Sequence, residues 1–322
     1  MANVACDLVE MHNELKPHTA STVLMVPPVH FKFNAETSAD NEFQHTTSLS
    51  DEQVRKQALE EFNAMVASLR SNDVEVIVMD YPESDVETPD AVFPNNWFST
   101  TPEGDLFFFP MACPNRRNEV RSELIQSYFQ QSGKHVKQVR TLADANDGAF
   151  LESTGVMIMD HRNDTIYAAL STRCDRELLE EYAELNNVSR VISFQTTLPS
   201  GSPIYHTNVM MAIGESFCVV CDEIIPEFER RYVLKQLGRT KEVISISLDQ
   251  MNKFCGNLLQ IENSKGEKLI AMSLSAFNAF TDEQKEVLSR HGKLLPFDVS
   301  TIETIGGGSV RCMLGEVFLP TK

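Results

Sequence analysis

The chain has no stretch of apolar residues approaching the roughly 18 needed to span a bilayer, so a membrane-embedded protein is not expected. Basic residues are scarce: 28 Lys and Arg stand against 46 Asp and Glu, a formal charge of −18 over 322 residues. That deficit argues against nucleic acid or an anionic membrane as partner, because both demand a basic face. It modestly favours a cationic small molecule. Cysteine is limited to seven, an odd number widely scattered, which is not the pattern of a disulfide framework. Met1 to Val9 has neither a basic n-region nor an apolar h-region, so no signal peptide is legible and a cytoplasmic location is expected. No Pro- or Ser-rich linker and no low-complexity tract divides the chain. One catalytic domain over residues 1–322 is therefore expected, and a homo-oligomer is compatible with the sequence.

What is present is ordinary for a globular enzyme, with 42% apolar and 23% charged residues. Ser50 and Gln53 form a capping box, and Val54, Ala58, Phe62, Met65, Val66 and Leu69 recur at helical spacing to about residue 71. Val74 to Tyr81 follows as a buried strand, Asp105 to Phe109 as another, and residues 115–132 as a second helix. Val156–Met159 and Thr165–Leu170 flank His161-Arg162-Asn163-Asp164 in a hairpin pattern. Helices are predicted near 175–186, 226–237 and 282–290. Strands are predicted at 189–194, 205–213, 216–221, 242–247, 256–262 and 268–273. About five strand–helix modules result, too weakly self-similar to prove a repeat.

Cys312 follows Gly306-Gly307-Gly308-Ser309-Val310-Arg311. Taken alone, that run reads as a flexible turn before a buried core thiol. The chain also holds Tyr205-His206-Thr207-Asn208 and Leu151-Glu152, and a thiol, an imidazole and a carboxylate are the three groups that thiol catalysis requires. Cys218-Val219-Val220-Cys221 is a CxxC within a β-rich run. Its side chains would diverge on a strand, and no second CxxC or His pair completes a zinc site, so it reads as core. Asp90-Ala91-Val92-Phe93-Pro94-Asn95-Asn96-Trp97-Phe98 carries three polar side chains among apolar neighbours, and a turn is the bland alternative. Asn208, two residues past His206, would share its face on an extended strand. Arg116 and Arg117 open a predicted helix against its dipole, and Arg173 ends a predicted strand. Two arginines suit a carboxylate, although each alone reads as a solvated surface residue.

These motifs resemble the guanidine-group-modifying superfamily of arginine deiminases, dimethylarginine dimethylaminohydrolases and amidinotransferases, and most closely its citrulline-utilisation hydrolase branch. FPNNWFS, LESTG, YHTN, CGN and GGGSxRCM occur in that order, and the resemblance runs from about Val23 to Pro320. It implies a five-fold pseudosymmetric α/β propeller, the pentein fold, with the active site at its centre. It also implies Cys312 as nucleophile, His206 as general acid/base and Glu152 as the acid beside that histidine. Asp90 matches a residue contacting the amino-acid head of the substrate, and Arg116 and Arg173 match the arginines holding its carboxylate. Asn95, Asn96 and Asn208 stand where relatives carry acids.

Those departures bear on the substrate. A guanidinium offers only donors, whereas a ureido group is neutral with one carbonyl acceptor. Asparagine presents both an acceptor and a donor, so Asn96 and Asn208 complement a ureido group such as that of citrulline. Asp147, Glu152 or another acid would be needed to balance a guanidinium. The expected chemistry is thiol addition to the central carbon, protonation of the departing nitrogen by His206, and hydrolysis of the S-linked intermediate. It requires no metal or organic cofactor. Arg311 is placed on an extended strand facing away from the thiol. An amidino- or carbamoyl-transferase sharing the intermediate is the main alternative, together with arginine deiminase-type or dimethylargininase-type hydrolysis of a guanidino group. A non-catalytic binding protein is the third reading.

Overall fold

The computed structural model describes residues 16–82, 86–143 and 147–321. The Met1–Val9 reading and Cys6 lie outside those residues. Among the described residues fifteen strands form five three-stranded sheets, and each sheet has the same plan. A first strand pairs antiparallel with a second, and the chain then crosses over and returns as a third strand parallel to the second. The sheet of Phe98–Thr100, Asp105–Phe108 and Gln138–Thr141 follows it. So do Ile158–Asp160, Thr165–Ala169 and Arg190–Phe194, then Met211–Ile213, Phe217–Val220 and Glu242–Ser245. Leu259–Glu262, Lys268–Ser273 and Lys293–Phe297 make a fourth. The fifth is closed by the two ends of the chain: Gly315–Val317 pairs antiparallel with Thr22–Met25, which runs parallel to Glu75–Val78. First strands of neighbouring sheets contact one another, as Ile158–Asp160 does Met211–Ile213. The result is the five-fold α/β propeller.

Helices cover the crossovers because a parallel pair needs one and its apolar stripe needs a sheet. In the helix Asp51–Ser71, Ser50 and Gln53 make the reciprocal capping box, and the six apolar residues expected at helical spacing are the buried ones. Burying side chains such as Phe62 and Leu69 contributes roughly 1.5–3 kcal/mol each. Helices Arg176–Leu185, Glu227–Leu237 and Asp282–Ser289 and the hairpin around residues 161–164 lie where the sequence places them.

Three local expectations are corrected. The helix over 115–132 is two elements, a 3₁₀ helix Pro114–Glu119 and an α-helix Ser122–Gln131, separated by extended Val120. Buried Arg116 and Glu119 bond to each other across the 3₁₀ turn. The strand over 205–213 is confined to Met211–Ile213, with Thr207–Met210 a helical turn. Arg311 lies in a turn and donates to the Leu314 carbonyl and to Glu316. Cys218 and Cys221 are buried core thiols, each pushed up to about 12 by burial. Among the described residues no helix is long and apolar enough to cross a membrane.

Candidate active site

The glycine run is a fixed corner rather than a loose turn. The helix Ser300–Gly306 ends at Gly307, whose φ of 63° is the left-handed conformation that glycine adopts without strain. Its carbonyl accepts bonds from Tyr205 Oη (2.8 Å) and Asn41 Nδ2 (3.4 Å). Cys312 follows in a tight turn, its N–H donating to Ser309 O at 2.9 Å, and is 3% exposed. Its sulfur receives two amide N–H donors, from Asn208 Nδ2 at 3.4 Å and Asn257 Nδ2 at 3.3 Å.

Cys312 and His206 line one narrow cleft together with Asp90, Asn96, Arg116 and Arg173. His206 Nε2 lies 2.7 Å from Glu152 Oε2, and Glu152 is fully buried. Burial alone would raise the Glu152 carboxyl. The charge of Arg173, the bond from His206 and the charge of Arg116 outweigh it and hold that carboxyl well below the usual range. Burial lowers the His206 imidazole despite its carboxylate neighbour. The pair is therefore a neutral ring beside an ionised acid. An ionised carboxylate only accepts, which assigns the ring proton to Nε2 and leaves a lone pair on Nδ1. Gly155 packs against that edge: a Cβ there would sit 3.0 Å from His206 Nδ1 and 2.3 Å from Asn96 Nδ2.

Both arginines are interior rather than solvated, and both carry acid partners. Arg116 donates to Glu119 through Nε (3.0 Å) and Nη2 (2.9 Å), and to Asn96 Oδ1 through Nη1 (3.1 Å). Arg173 donates to Asp40 through Nε (2.9 Å) and Nη2, to Glu152 through Nη1 (3.3 Å) and to the Thr37 carbonyl. Its guanidinium also lies over the Tyr205 ring. Arg117, the other half of the basic pair, donates to the Met111 and Ala112 carbonyls.

Asp90 Oδ2 accepts from Asn34 Nδ2 (2.7 Å) and Thr37 Oγ1 (3.1 Å), and burial raises its carboxyl. Asp90 Oδ1, Asn96 Nδ2 and Asn208 Oδ1 are buried without a hydrogen-bond partner. Buried polar atoms are almost always paired; Asp90 and Asn96 line the cleft, so they present one acceptor and one donor to whatever occupies it, while Asn208 lies against the sulfur outside that lining.

Asn95 is not brought to the cleft; its Nδ2 donates to Thr154 Oγ1 at 3.3 Å. Asn208 reaches the sulfur from a helical turn rather than from the face of a strand. Asp147 is exposed. Asn34, Thr37 and Asp40, which hold Asp90 and Arg173, had no sequence signal, because the segment carrying them has no periodicity. Asn257 did have one, in the CGN motif.

The fold and the Cys312–His206–Glu152 site define a hydrolase acting on C–N bonds. The family model described as N,N dimethylarginine dimethylhydrolase, eukaryotic, matches residues 27–319, and the chain belongs to that family. Comparison with curated proteins gives no match. Among solved structures, the chain is similar to the substrate-bound N-terminal domain of ArgZ, a cyanobacterial arginine dihydrolase. Identity is 15%, TM-score 0.70, and the alignment covers 91% of this chain and 96% of that one. A variant of AgrE in complex with L-arginine matches at 15% identity and TM-score 0.69, covering 94% of this chain but 40% of AgrE. A dimethylarginine dimethylaminohydrolase variant, as its adduct with S-methyl-L-thiocitrulline, matches at 16% identity and TM-score 0.64, covering 92% and 100%. At these identities the likeness is one of fold.

Proposed function

We propose that the chain, acting as a single catalytic domain over residues 1–322, hydrolyses a C–N bond in the ureido or guanidino group of an arginine-like amino acid. The reaction passes through a covalent intermediate on Cys312, and a ureido substrate such as citrulline is favoured. The observation that carries the reading is the convergence of Cys312 and the His206–Glu152 pair on one cleft. The thiol proton passes to His206 Nδ1 as sulfur adds to the central carbon, and ionised Glu152 stabilises the imidazolium. That proton then goes to the departing nitrogen, which leaves as amine or ammonia. His206, neutral again, takes a proton from water as hydroxide attacks the S-linked carbon, and returns it to the sulfur or the product.

Asp90 Oδ1 suits the substrate ammonium. Asn96 Nδ2 is an unpartnered donor and Asn208 Oδ1 an unpartnered acceptor, a pair that complements the carbonyl and N–H of a ureido group. A second reading, hydrolysis of N-methylated arginine, is favoured by the family match over residues 27–319, with Glu152 and Asp90 balancing the cation. A cytoplasmic location rests on the sequence alone. The test is turnover of citrulline, arginine, methylated arginines and agmatine, reading ammonia, methylamines and ornithine, with Cys312→Ser as control. Citrulline turnover abolished in Cys312→Ser supports the first reading. A clear preference for a methylated arginine establishes the second. Activity of Cys312→Ser within tenfold of the parent ends both.

A further inference from the structure

We infer that Asn257 is a further catalytic residue, acting directly on the Cys312 sulfur; this rests on the proposed role of Cys312. Asn257 is fully buried, and its side-chain orientation is set by its own bonds. Its Oδ1 accepts the Arg311 backbone N–H at 3.1 Å, so the NH₂ group must face the other way. One N–H of that group goes to the Asn208 carbonyl at 2.9 Å and the other to Cys312 Sγ at 3.3 Å. Every polar atom of the Asn257 amide is thereby engaged, and none remains for substrate.

The position is tied to the nucleophile from both sides. The oxygen holds the residue immediately before Cys312, and the nitrogen holds the backbone of Asn208, whose own Nδ2 is the second donor to the sulfur. The neighbouring Gly256 comes so close to the 209–210 backbone that a Cβ there would meet Val209 O at 2.3 Å. The Asn257 side chain therefore cannot drift from the sulfur without moving that strand entry.

Sulfur is a weak hydrogen-bond acceptor as a thiol and a much better one as a thiolate. A fixed donor aimed at it favours the state in which sulfur carries charge, before attack and again when the adduct breaks down. Asn257 gives this support without a formal charge, so it adds no repulsion toward a cationic or neutral substrate. Asn208 faces both ways, with its Oδ1 unpartnered, whereas Asn257 serves the sulfur alone.

The test separates sulfur reactivity from turnover. Asn257→Asp keeps the shape and the acceptor toward Arg311 but replaces both donors with a carboxylate oxygen. Asn257→Ser is the smaller companion should the first variant fold poorly. Each is compared with the parent for the rate of single-site alkylation by 2-chloroacetamidine and by neutral iodoacetamide at pH 7, for kcat and KM, and for melting temperature. Alkylation by iodoacetamide is expected to slow roughly tenfold, below the 10²–10³ typical of a lost oxyanion donor because sulfur accepts weakly. The rate should recover as pH rises, with kcat falling and KM little changed. Parent-like alkylation and kcat in a folded variant, even one with a lowered melting temperature, overturns the proposal and leaves Asn257 a structural residue. Alkylation does not require turnover. An active Cys312→Ser would therefore refute the nucleophile, while unchanged labelling in Asn257→Asp would refute this contact.

Discussion

Asp40 grips the guanidinium of Arg173 with both carboxylate oxygens, to Nε at 2.9 Å and to Nη2, although Arg173 is 1% exposed and the Asp40 side chain 36%. Arg173 is also bonded to the Thr37 carbonyl, and Thr37 Oγ1 bonds to Asp90. The segment through residues 37–40 thus links Asp90 and Arg173, two of the three side chains that the resemblance assigns to the amino-acid head.

If Arg173 takes the substrate carboxylate, that carboxylate must exchange with Asp40. Asp40→Asn removes the charged competitor while keeping the shape. KM for a carboxylate-bearing substrate is expected to fall up to about fivefold, the scale of a partly exposed ion pair. Turnover of agmatine, which has no carboxylate, should not move. A raised KM for the amino-acid substrate in Asp40→Asn would show instead that Asp40 is needed to hold Arg173 in place.

Gly155→Ala tests the assignment of the His206 edge. The backbone angle of Gly155 is ordinary, so the only obstacle is space: the new methyl would lie 2.3 Å from Asn96 Nδ2 and 3.0 Å from His206 Nδ1. Overpacking of this kind typically costs about 1–3 kcal/mol. We expect a lower melting temperature together with a fall in kcat larger than that of Gly133→Ala, where the left-handed φ of 73° strains an alanine but no neighbour is crowded, so that stability falls without disturbing the cleft. Parent-like kcat would mean that neither side chain has to stay where it is found.

Away from the cleft, His18 predicts a pH dependence of stability. It is buried beside a cavity it shares with His161 and Arg311. Burial, then the charge of Lys241, lowers its imidazole from 6.5 to about 4, against the raising effects of its bond to the Ile213 carbonyl and the charge of Glu215. A group depressed on folding stabilises the neutral form, so its contribution is complete above about 6.5 and is lost as pH falls through about 4. At about 1.4 kcal/mol per unit, the contribution is on the order of 3 kcal/mol. Melting temperature of the parent should drop between pH 7 and pH 4, and His18→Gln should drop less. Parallel curves for the two proteins would exclude His18 as the cause.

How much of this was legible follows from where the signals lie. Regular periodicity marked the helix Asp51–Ser71 and the buried strand Phe217–Val220, because their apolar residues face a sheet or fill one. Strands Phe98–Thr100 and Gly315–Val317 are only three residues long, too short for a pattern, and the second pairs with a segment from the opposite end of the chain. Cys312, His206 and Glu152 stood out because their chemistry is distinctive and their motifs matched a family. Asp40 and Thr37 did not, since an acid and a threonine in an irregular segment resemble any solvated turn. The helical turn at Thr207–Met210 was missed because its apolar residues also suit a strand.

Asn96 is the residue of the cleft whose free polar atom distinguishes a ureido group from a guanidinium. Arg116 Nη1 donates to Asn96 Oδ1 at 3.1 Å, which turns Nδ2 away from Arg116 and leaves it buried without a partner. A ureido carbonyl can accept from that nitrogen; a guanidinium, which has only donors, cannot. Asn96→Asp keeps the bond to Arg116 and converts the free donor into an acceptor. Specificity should then shift from citrulline toward arginine-type cations. Loss of the donor facing a buried carbonyl costs about 1–3 kcal/mol, and a new bond to a charged partner contributes roughly 1.5–3 kcal/mol. The ratio of kcat/KM for citrulline over arginine is therefore expected to fall at least tenfold. Were Asn96 only a turn residue, the variant would melt earlier with its ratio unchanged. Measuring that ratio on parent and variant, with melting temperature beside it, separates the two. A parent that already prefers a guanidinium would refute the ureido reading before the variant is made.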